Sequence, residues 1–159
     1  MHRTGHLGFS ALVYAPVGLA LAGESPALAI LGYVGVLSLA SLPDVDLRLP
    51  LVRHRGVTHT LPFAFGVGLA LWAAGRTLAG PLGLPPETLG TFGAFVGVFG
   101  VCAHLLADTV TPMGVPWLWP LSGRRYSLSL VRADDTLANY GLFALGALAT
   151  AAAAALAVV

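Results

Sequence analysis

Charge is what this chain lacks most. Of its 159 residues only 9% are Asp, Glu, Lys or Arg, where a soluble domain carries about 25%. Lysine is absent, and the eight basic residues are all arginine. A formal net charge of +1 gives no broad positive field for nucleic acid. The single cysteine, Cys102, excludes an intrachain disulfide. There is no phosphate-binding glycine loop, no nucleophilic-serine elbow, no nucleic-acid motif and no internal repeat. What is present is apolar: 57% hydrophobic residues and a mean hydropathy of +0.83. That balance predicts an integral membrane protein with a single domain over residues 1–159.

Apolar runs at about 7–22, 26–42, 58–78, 88–110 and 136–159 are each near the roughly 20 residues a helix needs to cross a bilayer. The expected fold is all-α and polytopic, with about five transmembrane helices. Pro26 suits the first position of the second helix. Pro62 falls in the first turn of the third, where a missing N–H is tolerated, and Thr88 is the expected cap of the fourth. The basic start and Ala20-Leu21-Ala22 imitate a secretory signal, but His6 joins the polar set described next, so a retained first helix is expected. Gly90, Gly93, Gly97 and Gly100 form a small-residue stripe for close contact, within the chain or in a homo-oligomer.

Five alternating spans bring His6, Asp44, Asp46, His54, Arg55, His59, His104 and Asp108 to one membrane side. Arg3, Arg48, Arg53, Arg55, Arg124, Arg125 and Arg132 lie there too, against Arg76 alone on the other. The positive-inside rule makes the shared side cytoplasmic. The expectation is a multi-pass inner-membrane protein with its N-terminus in the cytoplasm and its C-terminus outside. Trp117 and Trp119 fit a membrane interface.

Polar groups beside membrane helices are costly, and so mark function. They concentrate in Arg53-His54-Arg55-Gly56-Val57-Thr58-His59-Thr60. His54 and His59 would splay by roughly 140° on a regular helix; they converge only with His54 in a loop, which Gly56 permits. His104 and Asp108 sit four apart on one helical face and can grip one ion. Taken singly, each residue also reads as a contact bridging helices or as an interfacial side chain. Together His6, Asp44, Asp46, His54, His59, His104 and Asp108 supply mixed nitrogen and oxygen donors suited to a divalent metal, zinc, manganese or iron. Seven candidates exceed one tetrahedral shell, so either two ions bind or some residues act as base and support. Asp46, Arg55 and His59 are the candidate catalytic residues. Arg55, with Arg124 and Arg125 behind it, could hold a phosphate or another anion.

Gly5-His6-Leu7, Leu42-Pro43-Asp44-Val45-Asp46, His54-Arg55-Gly56-Val57-Thr58-His59 and the block Ala103 to Pro116 with His104, Asp108, Thr111, Pro112 and Gly114 resemble the small bacterial and archaeal membrane-bound metal-dependent hydrolases. The likeness runs in the same order from His6 to Pro120. It implies a helical membrane protein with a divalent-metal site built from Asp44, Asp46, His54, His59, His104 and Asp108, with His6 beside them. The expected activity is hydrolysis of a phospholipid or another phosphate ester by metal-activated water at the cytoplasmic face. The expected partners are membrane lipids and a lipid or small-molecule substrate, with no nucleic acid. The competing expectations are a non-enzymatic metal-binding or metal-transport protein and a scaffold whose polar cluster only joins helices.

Overall fold

Helix starts and stops in this molecule follow its prolines and hydroxyl caps more closely than its hydropathy. The computed structural model describes residues 1–158, so the expected helix end at Val159 lies outside the described residues. The first helix, α1, spans Arg3–Glu24, which places His6 inside its first turns. α2 spans Pro26–Leu39; the Ser25 hydroxyl accepts the Leu28 N–H at 3.4 Å and Pro26 opens the helix. It stops short of the expected residue 42, because Pro43 has no N–H to close the next turn. A 3₁₀ helix at Pro43–Arg48 takes over and carries Asp44 and Asp46.

A second 3₁₀ turn, Val57–His59, precedes α3 at Leu61–Ala79. The third helix therefore starts later than the expected residue 58: the Thr60 side chain caps it by accepting the Phe63 N–H at 3.3 Å. α4 spans Pro86–Thr109 with Pro85 as its N-cap residue. Thr88 lies inside its first turn and is not the cap, since Pro86 already has the φ of a first helical residue. α5 spans Thr136–Leu156, capped by Asp135, which accepts the Ala138 N–H at 2.9 Å. α1, α3, α4, α5 and the continuous run Pro26–Arg48 formed by α2 and the 3₁₀ helix after it are each long and apolar enough to cross a membrane.

Lipid tails are as apolar as leucine, so close backbone approach has to hold such helices together. The glycine stripe of α4 is used inside the chain. A Cβ at Gly97 would stand 2.7 Å from the Gly68 Cα of α3, and Gly100 faces Leu39 and Val36 of α2. α1 pairs with α5 in the same way, Gly8 against Leu142 and Phe143 and Gly146 against the Gly8 backbone. α1 also packs on α2, and α4 meets α1 and α2 as well as α3. Tyr14, Val36 and Val96 form one buried cluster at mid-bundle, and Ala64, Val101, Leu105 and Val115 form another beneath the polar end.

The long connection after α4 folds back over that end. Val115 and Tyr126 exchange backbone hydrogen bonds at 3.1 and 2.9 Å, and Leu61 N–H donates to the Trp117 carbonyl at 2.9 Å. The start of α1, the end of α2, the start of α3 and the end of α4 thus meet under one cover.

Candidate metal centre

At this junction four side chains converge. His104, from the penultimate turn of α4, is fully buried, and its Nδ1 lies 2.7 Å from the Ala40 carbonyl oxygen. A carbonyl only accepts, so Nδ1 carries the proton and Nε2 presents a lone pair. That carbonyl is available because Pro43 ends α2 before the Asp44 N–H can close on it. His59, fully buried, is held the same way round. Thr58 Oγ1 donates to Asp46 Oδ2 at 2.8 Å, which leaves it to accept from His59 Nδ1 at 3.0 Å; the Asp46 oxygen itself lies 3.3 Å from Nδ1. Both imidazoles therefore aim bare Nε2 atoms inward, 3.2 Å apart.

Two lone pairs at that separation repel unless a cation or a proton lies between them. The carboxylates complete the arrangement. Asp108 Oδ2 is 3.4 Å from each Nε2, and Asp44 Oδ1 is 3.5 Å from His59 and 3.7 Å from His104. Asp108 Oδ2 is buried without a hydrogen-bond partner. A tetrahedral ion with bonds of 2.0–2.1 Å has ligand–ligand edges of about 3.3–3.4 Å, so the donor set has the size and composition for a divalent metal. Burial lowers the basicity of His59, but the neighbouring Asp108 and Asp44 carboxylates outweigh that and hold its pKa above the ordinary histidine value.

The other oxygen of Asp108 faces away from the donors. Arg55 Nη2 donates to Asp108 Oδ1 at 2.6 Å, and the Met1 amino group lies 3.0 Å from the same atom. Arg55 is only 3% exposed; its Nη1 donates to Thr111 Oγ1 at 2.9 Å and points at the Gly114 carbonyl at 3.5 Å. Its backbone takes the left-handed conformation, φ 53°, a strain of order 1–3 kcal/mol for a non-glycine residue. The strained turn lets the Arg55 N–H donate to Asp46 Oδ2 at 3.0 Å while the side chain reaches Asp108. Arg125 braces the turn from outside, donating to Arg55, Met113 and Gly114 carbonyls. Burial and the neighbouring Arg55 and Arg53 lower its guanidinium pKa.

The expected site residues divide accordingly. Asp44, His59, His104 and Asp108 come together as one candidate set. His6 stacks on His104 with ring centroids 3.8 Å apart and brings its Nε2 within 3.4 Å of Asp108 Oδ1; both its ring nitrogens are buried without partners. Asp46, His54 and His59 form a second, adjoining group. There, however, Asp46 is already engaged by His54 Nδ1 at 2.9 Å, by Thr58 and by the Arg55 N–H. Its two oxygens serve to fix His54 and His59. Of the two groups expected for Arg55, a substrate anion or a ligating carboxylate, it grips the carboxylate of Asp108. Thr58 and Thr111, which stood in the quoted motifs without an assigned role, and the Ala40 carbonyl complete the framework. The two threonines flank His59 and Asp108 and were within reach of a polar-pattern search; a backbone carbonyl leaves no sequence signal.

A model of the YdjM inner membrane protein family matches residues 1–159. The chain belongs to that family. Inner membrane protein YdjM of Escherichia coli (strain K12) is 33% identical over 100 residues, covering 52% of this chain and 46% of the relative. Inner membrane protein YdjM of Shigella flexneri matches with the same identity and coverage. The chain thus aligns with about half the length of these curated relatives. No solved structure matches. Family membership and five apolar helices together make this a multi-pass inner-membrane protein with a buried His/Asp group that could hold a metal ion.

Proposed function

We propose that this protein is a membrane-bound metal-dependent hydrolase acting on a phospholipid or another phosphate ester at the cytoplasmic face. The observation that carries the reading is the pair of bare Nε2 atoms of His59 and His104, 3.2 Å apart and flanked by Asp44 and Asp108. Such a set is costly in the apolar end of a helix bundle and is repaid by a cation. A bound divalent ion, zinc or manganese on this donor chemistry, would supply Lewis acidity toward a phosphoryl oxygen and acidify a water molecule.

The chain's own residues do the rest. His59, His104 and Asp108 are fully enclosed and orient the centre. Asp44 stands at its open side with a side chain 23% exposed, where it meets an incoming molecule and can accept a proton from attacking water. Arg55 holds Asp108 in orientation through its 2.6 Å ion pair. A metal-binding role without turnover is the second reading, favoured by a donor set that by itself completes a tetrahedron, as structural zinc sites do.

The test is elemental analysis of purified protein, paired with hydrolysis assays across phospholipids and soluble phosphate esters. Wild-type protein is expected to retain stoichiometric divalent metal and to turn over at least one of these esters. His104→Ala and Asp108→Asn are expected to lose both. Unchanged metal content in both variants overturns the centre; bound metal with no turnover of any ester selects the second reading.

A further inference from the structure

The cover over the centre is unusual for a loop region that meets water. It consists of two segments, the stretch from Asp44 to Val57 and the connection from Thr111 to Val131. Outside the α-helices these segments expose Leu47, Leu51, Trp119, Leu121, Leu128 and Leu130, with Leu51 98% and Leu121 93% exposed. An apolar surface of this kind marks an interaction site. Its polar residues are of one sign. Arg48, Arg53, Arg124 and Arg125 are interleaved with the leucines, and no acidic residue occurs in residues 47–57 or 112–131. Asp44 and Asp46, at the edge of this cover, are turned into the centre. Arg124 lies over the Tyr126 ring at 5.3 Å, and Trp119 is nearly half exposed. Leucines projecting outward, arginines with long apolar stems and aromatic rings with one polar end are the composition of a headgroup-level belt.

We propose that these two segments form a collar that seats in an anionic phospholipid leaflet, so that the centre opens sideways into lipid and takes its ligand as a membrane-resident amphiphile. Positive charge without nearby acid complements anionic headgroups, each arginine contributing about 1 kcal/mol near such a surface. The openings of the centre lie within the collar: Asp44 is flanked by Pro43 and Val45, and His54, 34% exposed, by Arg53 and Arg55. What enters the centre rests on the hydrolase reading. The depth of the collar does not, because it is measured without metal or turnover.

The experiment uses the full chain in nanodiscs of phosphatidylcholine and phosphatidylglycerol. Spin labels are placed at Leu51→Cys and Leu121→Cys in a Cys102→Ala background, with Phe65→Cys on the outward face of α3 as the lipid reference. Both collar labels are expected to collide with oxygen and to exclude a neutral nickel chelate, with a ratio close to that at Phe65 and severalfold above that of free label in buffer. Replacing phosphatidylglycerol by phosphatidylcholine is expected to shift both toward the aqueous value. Collar labels as open to the chelate as free label overturn the proposal, and labels indifferent to lipid charge overturn its anionic part. If a label at either position prevents folding, Leu47→Cys and Leu130→Cys give the same reading. A collar in water beside an intact metal centre refutes this inference alone.

Discussion

Asp46 shows how a residue outside the four converging donors can still control them. Its Oδ2 takes hydrogen bonds from Thr58 and from the strained Arg55 turn, and it faces His59 Nδ1. An acceptor on that side keeps the proton on Nδ1 and the lone pair on Nε2. Asp46→Asn is therefore expected to lower metal affinity roughly 10–100-fold while leaving measurable binding, whereas His59→Ala abolishes it. Competition titration against a chelating dye checks this; equal affinity in wild type and Asp46→Asn would show that Thr58 alone orients the ring. At this scale the sequence was legible as a roster. His6, Asp44, Asp46, His54, His59, His104 and Asp108 stood out because each is polar in an apolar chain. Their division of labour was not legible, because it depends on which ring nitrogen faces which oxygen. For Arg55 it depends on one left-handed backbone angle, which no spacing rule encodes.

Helices were legible from hydropathy because each must present an apolar length to the bilayer, and the five expected spans correspond to α1 through α5. Their ends were less legible. Hydropathy runs on through Ala40–Leu42 and does not say whether Thr58–Thr60 belongs to the helix, while the backbone changes to 3₁₀ geometry around Pro43 and Thr60. Those short 3₁₀ pieces are what turn Asp44, Asp46 and His59 inward. Between helices, glycine carries the packing. Gly97→Leu would push into the Gly68 backbone and is expected to cost about 1–3 kcal/mol of stability. Gly66→Leu, on the same stretch of α3 with nothing within 4 Å, serves as the near-neutral control. Thermal unfolding in detergent compares them; equal midpoints would mean that α3 and α4 can separate without loss.

For the molecule as a whole, the structure sharpens the charge argument for orientation. Arg55 is committed to Asp108, and Arg125 donates to three backbone carbonyls, so neither should be counted as a free topology signal. Arg3, Arg48, Arg53 and Arg124 remain exposed at the end that carries the centre, with Arg132 there paired with Asp134. At the opposite end Arg76 is paired with Glu87. The bias survives the correction, and the N-terminus is expected in the cytoplasm with the C-terminus outside. A C-terminal alkaline phosphatase fusion should be active and a C-terminal green fluorescent protein fusion dark; the reverse pattern would invert the molecule and put the centre on the outer face.

One further consequence follows from where α2 stops. Pro43 keeps one peptide oxygen, that of Ala40, out of the helical ladder and in reserve for an imidazole contributed by a helix 64 residues further along the chain. The length of α2 is in effect a tuning screw for a histidine it does not contain. Pro43→Ala removes the helix stop, so that α2 can continue and the Asp44 N–H can reclaim that oxygen. Metal affinity is then expected to fall by about tenfold or more, with every donor atom of the centre still in place. Dye competition beside circular dichroism would register both changes, and a longer helix with undiminished affinity would show that His104 keeps its orientation without Ala40.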